Sequence, residues 1–357
     1  MNTYIKFLIF SFLKSFFYVL IIMTCLVFIL NLLSELDFFK ETDVEIYFTL
    51  FLSLLNSPAT IFEMLPFILL ITTQLFFIKL FNNNEIEIFK YSGLKNSKII
   101  ITISVLTFAG GIIFISLFYN FSSSLKNFYL EIKSKYTSDG KYLAVITNNG
   151  LWIKDEIDEK ILIINSSEIK QNFLINNFIT EFDTSYNVIR NLKSDKIDIA
   201  DKLWKIYEAR IYEKNNYEIK NLIKLNTNFD YKRIQSLYSN LSSLNFLQLY
   251  ELRENYKKLN YSLTEINLQL LKLISYPLYL LLITLFSSII MLNTKRLEGT
   301  TIKISIGLFF SVIIYYMNNF FYVMGNTERI SILTSVFLPL IILSLINISM
   351  LRRINEK

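Results

Sequence analysis

Glu63 is the one acidic residue set deep in an apolar run, with Pro58 and Pro66 on either side of it. A charge at that depth is tolerated only beside a cavity or a partner. The two prolines free backbone carbonyls and bend the helix there. The pattern reads either as a polar, irregular section lining an interior path or as the re-entrant start of a second span among lipid headgroups. The second is the expectation. Another group of carboxylates, Asp155, Glu156, Asp158 and Glu159, lies between two strand-like runs and reads as a solvated turn rather than an acid–base pair. Other reactive groups are scarce. There is no histidine, and the single cysteine, Cys25, sits inside an apolar run, so zinc sites and the common catalytic triads are excluded. Gly140-Lys141 lacks the rest of a phosphate loop, because Lys135 stands where its first glycine belongs and Tyr142 replaces the magnesium-binding hydroxyl. The chain is therefore expected to perform no bond chemistry and to need no cofactor and no metal.

Residues 82–98 carry the most specific local pattern. Asn82-Asn83-Asn84 offers an N-cap, Glu85 and Glu87 suit the first turn of a helix, and Gly93 supplies a left-handed stop before Lys95 and Lys98. Ile86, Ile88 and Phe89 form an apolar patch. A helix of two turns is not stable alone, so this one needs a headgroup plane or another protein. A transporter coupling helix seated in a separate ATPase has this form, and so does a plain interfacial loop.

These residues are positioned by long apolar spans. Three spans (7–33, 48–81 and 99–118) precede a polar stretch, and three more (271–292, 302–324 and 330–350) follow it. Each reaches the roughly 20 residues needed to cross a hydrocarbon core. The average of 53% hydrophobic residues hides two chemistries: residues 121–270 hold 21 Lys/Arg and 19 Asp/Glu, and the remainder only 15 and 11. Of those 15 basic residues, 12 fall on one side of the spans, and only Lys40, Lys272 and Arg329 fall on the other. The positive-inside bias then places both termini and the 82–98 and 293–301 loops in the cytoplasm, with 121–270 outside. The first span is too long for a signal peptide and has no small-residue cleavage site after it. The net charge of +6 comes from loops, with no basic–aromatic surface for nucleic acid.

From 141 to 230 the period becomes two. Runs at 141–147, 150–155, 160–168, 173–183, 187–199, 202–213 and 217–230 alternate apolar and polar residues, with a turn signal at Asn149-Gly150. Leu203, Lys205 and Tyr207 oppose Trp204, Ile206 and Glu208 in one such run. An antiparallel sandwich or open roll of seven or more strands is expected, followed by a helix over 243–259. Without cysteines it must rest on its own core. Its role is either an amphiphile groove or a docking module.

Pro58, Pro66, Glu85, Ser92-Gly93, the string Gly150-Leu151-Trp152-Ile153-Lys154-Asp155, Tyr276-Pro277-Leu278 and Pro339 occur in an order and spacing that resemble the LptF/LptG permease family. The hexapeptide is most similar to the LptG branch. The resemblance covers essentially the whole chain. It implies six transmembrane helices with an all-β, jellyroll-like extracytoplasmic domain between helices 3 and 4, so that 1–120 and 271–357 are membrane parts and 121–270 is periplasmic. It also implies a multi-pass protein of the bacterial inner membrane that passes lipopolysaccharide outward. The implied partners are an LptF-type paralogue, an LptB-type ATPase dimer and an LptC-type bridge. Glu85, Ile86, Glu87, Phe89 and Gly93 would then dock the ATPase, and Trp152 and Lys154 would mark a jellyroll strand. Spans one and five would form the dimer seams. The outer end of span one departs from the family: Asn31, Ser34, Glu35 and Asp37 stand there with only Lys40 basic. Asn31, Glu35, Lys40 and Glu63 are the candidate path residues. The alternatives are the LptF-type paralogue and a membrane-anchored interaction module.

Overall fold

The computed structural model describes residues 3–40, 44–134, 136, 151–157, 160–170, 172–213, 216–231, 234, 240–258, 262–293 and 299–355. In chain order the helices before the sheet are α1 (Thr3–Phe38), α2 (Ile46–Asn82), α3 (Glu85–Tyr91), α4 (Asn96–Ile113) and, after a π-helical segment at Phe114–Tyr119, α5 (Asn120–Ser134). Six strands follow: β1 (Leu151–Ile157), β2 (Lys160–Lys170), β3 (Phe173–Phe182), β4 (Val188–Asp198), β5 (Leu203–Glu213) and β6 (Asn216–Asn226). Then come α6 (Phe246–Lys258), α7 (Thr264–Asn293), α8 (Thr300–Asn326) and α9 (Ile332–Asn355). The chain forms two compact units, Met1–Lys126 with Thr264–Lys357, and Asn127–Leu263.

In the first unit, α1, α2, the rod from Asn96 to Lys133, α7, α8 and α9 are each long and apolar enough to cross a membrane. An apolar solvent leaves the backbone no partner but itself, which is why these runs are helical throughout. α2 and α7 lie at the centre: 67% and 72% of their most apolar stretches are buried within the chain, against 22% for α1 and 11% for α8. Leu70, Phe286, Ile290, Ile314, Leu340 and Leu343 belong to one core cluster that joins α2, α7, α8 and α9. Gly111 of α4 fits where no other residue would, since a Cβ there would meet the Pro277 Cα of α7 at 2.9 Å. Buried polar side chains add bonds between helices: Asn347 Nδ2 donates to the Leu282 carbonyl at 3.0 Å, and Ser287 Oγ to the Leu70 carbonyl at 3.2 Å.

The re-entrant start expected near Glu63 is not found. α2 is continuous from Ile46 to Asn82 through Pro58 and Pro66, because neighbouring groups take up a freed carbonyl, as Tyr276 does for Phe62. The third rod also continues past the apolar run, through the π segment and into polar α5.

The second unit contains one antiparallel sheet in the order β1-β2-β3-β4-β5-β6. Six of the expected strand runs are strands; the run 141–147 and the Asn149-Gly150 turn lie outside the described residues. One face of the sheet is apolar and buried, with Ile153, Ile164, Leu174, Ile179, Leu192, Ile197, Trp204 and Ile206 at its core.

A crease crosses this sheet. Strand pairing skips Ser167 opposite Asn176, Asn176 opposite Asp195, and Glu208 opposite Asn221. Asn176 and Glu208 adopt left-handed φ of 52° and 48°. β3, β4 and β5 change phase at the crease, so the buried face of β5 runs Trp204, Ile206 and then Ala209, Ile211. The register is the same on either side of each interruption, so the skipped positions lie on one line across the strands without an inserted residue. Carbonyls along this line are taken by buried side chains of the same or a neighbouring strand. Ser166 Oγ donates to Ile175 O at 3.0 Å, Asn177 Nδ2 to Leu174 O at 2.9 Å and Ser194 Oγ to Tyr207 O at 2.6 Å.

The helix after the sheet begins at Phe246, with Leu241–Ser243 forming a separate 3-10 turn. Asn245 and Gln248 cap it reciprocally, each side-chain oxygen accepting the other's backbone N–H at 2.9 Å.

Candidate functional site

α3 is a seven-residue helix between α2 and α4. Gly93, at φ +80°, stops it. The Gly93 N–H donates to Lys90 O and the Leu94 N–H to Phe89 O, both at 2.9 Å, which is the glycine-terminated C-cap expected from the residues. The N-terminus differs from expectation. Asn84 stands at the cap position with φ 56° and makes no side-chain cap bond. The left-handed backbone turns its amide away, and Asn83 Nδ2 donates to Glu85 Oε1 at 3.0 Å instead.

Ile86 is buried beneath the helix, and the Phe89 ring meets Phe7 of α1 edge-on at 6.0 Å. These two contacts anchor one side. On the other, Ile88 and Tyr91 are 58% and 90% exposed, and Glu87 is exposed beside them. Glu85 Oε2 is buried without a hydrogen-bond partner. The result is a pinned helix presenting an apolar pair, with the buried, unsatisfied Glu85 oxygen at its first turn. Tyr91 was not among the expected docking residues, although its position three after Ile88 puts it on the same helix face.

The four path candidates are dispersed. Asn31 Nδ2 donates to Ser57 Oγ at 3.2 Å where α1 packs on α2. Glu35 is buried near the end of α1, and Lys40 is exposed. Glu63 lies on the surface of α2 and forms an ion pair with Lys126 of α5 at 3.3 Å. Asn31 and Glu63 are therefore engaged with different partners. Lys126 was missed because it follows the third apolar run by several residues, and only the continuation of that helix brings it to Glu63.

In the sheet, Trp152 and Lys154 belong to β1, opposite Asn165 and Ile163 of β2, with the Trp152 ring exposed. Asp155 is not a solvated turn residue. It lies in β1 at 1% exposure, where Oδ2 accepts the Asn228 backbone N–H at 2.9 Å and Oδ1 accepts Asn228 Nδ2 at 2.8 Å. Alternation along Leu151, Ile153 and Asp155 puts it on the inner face, and that phase outweighed the acidic string. Towards the β3–β4 turn, buried Glu181 accepts from Arg190 Nη2 at 2.7 Å, with Lys160 at 3.9 Å. The Glu181 hydrogen bond holds the Arg190 guanidinium above its ordinary range, against the opposing effect of burial.

The arrangement is a helical membrane unit with an inserted antiparallel sheet, and no group of His, Cys, Asp or Glu among the described residues could hold a metal. The family model described as lipopolysaccharide export system permease LptF/LptG matches residues 6–353. The chain belongs to that family. No curated protein matches it in sequence. As an LptF/LptG permease, it carries six membrane-crossing helices with the sheet inserted between the third and the fourth. The family match extends over the whole of α3, the sheet, α7 and α8, and over α9 as far as residue 353.

Proposed function

We propose that this chain is the LptG-type transmembrane subunit of an ATP-driven exporter that extracts lipopolysaccharide from the inner membrane and passes it to a periplasmic jellyroll bridge. The observation that carries this reading is α3, with Ile88 and Tyr91 exposed on a helix pinned by Ile86 and Phe89, and a buried Glu85 oxygen awaiting a donor. A short helix presenting two large apolar side chains beside a carboxylate suits a groove lined by a basic residue on another protein. The bias of basic residues in the loops supports α3 in the cytoplasm and the 121–270 domain in the periplasm. The partners are then an LptB-type ATPase dimer below, an LptF-type paralogue beside and an LptC-type bridge above. α1 and α8, whose apolar stretches are the least buried, are the faces for the paralogue and for lateral entry of lipid. The subunit is non-catalytic. Closure of the ATPases would push on α3, rock the first three spans against the last three and drive the amphiphile outward. The hexapeptide ending at Asp155 supports the LptG branch over LptF.

Glu85→Lys and Ile88→Asp, made separately in the full chain, test this reading by co-purification from membranes in mild detergent. The ATPase should be lost at least tenfold while the second six-span subunit stays bound. Undiminished ATPase would count against the docking role of α3. A chain that carries neither partner, even in its natural form, would favour the anchored-module alternative.

A further inference from the structure

The outward face of the sheet is not the polar face that an antiparallel sheet with one buried side ordinarily shows. Strand register sets Trp152, Asn165, Phe178, Lys193, Arg210 and Ile219 in one row from β1 to β6. Their sequence neighbours Ile153, Ile164, Ile179, Leu192 and Ile211 are buried, so the row points outward. Trp152 is 57% exposed, Phe178 44% and Ile219 60%, and Lys193 is exposed as well. Neighbouring strands lie about 4.8 Å apart, so the two aromatic positions are roughly 10 Å apart with Asn165 between them.

The crease runs beside this row. Asn176, Asp195, Glu208 and Asn221 lie along it, two residues from Phe178, Lys193, Arg210 and Ile219, and all four are exposed. Asp195 reaches Arg210 at 3.7 Å. Among the described residues, no hydrogen bond or ion pair takes the side chains of Asn176, Glu208 or Asn221. Asn176 and Glu208 hold left-handed backbone, which costs energy at a residue with a Cβ. Strain of this kind collects where a fold serves a ligand.

We propose that this face is a saccharide platform, and that the sugar chain of the lipopolysaccharide cargo lies along it. The proposal rests on the reading of the chain as a lipopolysaccharide exporter. An aromatic ring has a negative face, which attracts the weakly positive C–H groups on the face of a sugar ring. Trp152 and Phe178 are separated by the span of a disaccharide. Beside them, Asn, Asp and Glu side chains bring acceptors, and the amides donors as well, to adjacent sugar hydroxyls. Charge decides between occupants. Lys193 and Arg210 are balanced by Asp195 and Glu208, so these rows offer no net attraction to an anionic membrane surface or an acidic protein. An apolar protein partner would strip water from the open side chains of the crease without replacing its hydrogen bonds. A hydroxyl-rich chain satisfies both rows.

The test uses the full chain in detergent and the full complex in proteoliposomes. The probe for the first is the sugar chain released by mild acid from lipopolysaccharide of the bacterium that encodes the protein, freed of lipid and titrated by calorimetry. The natural chain should bind it, and Trp152→Ala and Phe178→Ala should each weaken binding at least tenfold. Trp152→Tyr keeps a ring and should weaken it less. No binding to the natural chain, or equal binding to both alanine variants, overturns the platform and leaves lipid export standing. Equal affinity for dextran of the same mass overturns the cargo as the occupant. In proteoliposomes, Trp152→Ala should slow ATP-driven extraction of full-length lipopolysaccharide several-fold and spare a form truncated to the lipid and its first sugars. Equal slowing of both forms overturns the platform's role in export. A natural complex that extracts neither form overturns the export reading, and the cargo assignment with it.

Discussion

Tyr276 of α7 donates its hydroxyl to the Phe62 carbonyl of α2 at 2.7 Å, and that carbonyl is the one Pro66 cannot serve. In a regular helix the N–H of residue 66 would bond it, and proline has none. The rings of Phe62 and Tyr276 also stack, with centroids 4.9 Å apart. The kink-prone site in α2 is thus completed by a residue far along the chain.

Tyr276→Phe should therefore lower stability by about 1–2 kcal/mol, since a buried carbonyl loses its side-chain donor. Thermal unfolding of the purified subunit in detergent measures it. Pro66→Ala restores the helical donor, so the cost of Tyr276→Phe should shrink in the double variant. An additive pair of costs would mean that the two residues act independently.

Much of this architecture could be read from residue types, and the exceptions have physical causes. Apolar runs marked all six membrane helices, because each run is long and continuous. Their ends did not follow, since α5 is polar and is carried on by the helix before it. The strand runs were legible in their period of two, but the crease was not. Alternation resumes one residue out of phase after Glu208, and only the register between strands shows that Asn176 and Glu208 lie on one line. Asp155 was misread because its partner, Asn228, is 73 residues away. At α3, burial of Ile86 and the stop at Gly93 follow from local pattern, whereas the exposure of Tyr91 depends on which face the anchor at Phe7 selects.

The crease should be held by its side chains. Ser194 Oγ donates to Tyr207 O and lies 2.9 Å from Lys196 O, and it also receives the Lys196 N–H at 3.2 Å. Ser194→Ala leaves buried carbonyls without that donor and should cost about 1–3 kcal/mol. Glu208 pays for its left-handed φ, so Glu208→Gly should cost little or stabilise by up to about 1 kcal/mol, and Glu208→Val should destabilise. Urea unfolding followed by the emission of buried Trp204 would rank the three variants. The opposite order for glycine and valine would show that the crease does not depend on backbone conformation at that position.

The β3–β4 turn should respond to acid. Asp183 Oδ1 accepts the Ser185 and Asn187 backbone N–H groups at 2.9 and 2.8 Å, and Oδ2 accepts Asn187 Nδ2 at 3.0 Å. The Asn187 side chain and then its backbone hold the Asp183 carboxyl below the usual carboxylate range. A carboxyl with a lowered folded value stabilises the folded state above its ordinary value of about 3.9, and that contribution fades as pH falls through the lower folded value. The turn should therefore be indifferent to pH between about 5 and 8 and loosen below about 4. Amide exchange at Ser185 and Asn187 reads this directly: protection should drop with acid in the natural chain. In Asp183→Ala it should be low throughout, with no step near the carboxylate range. A step of the same size in Asp183→Ala would assign the acid response to another group.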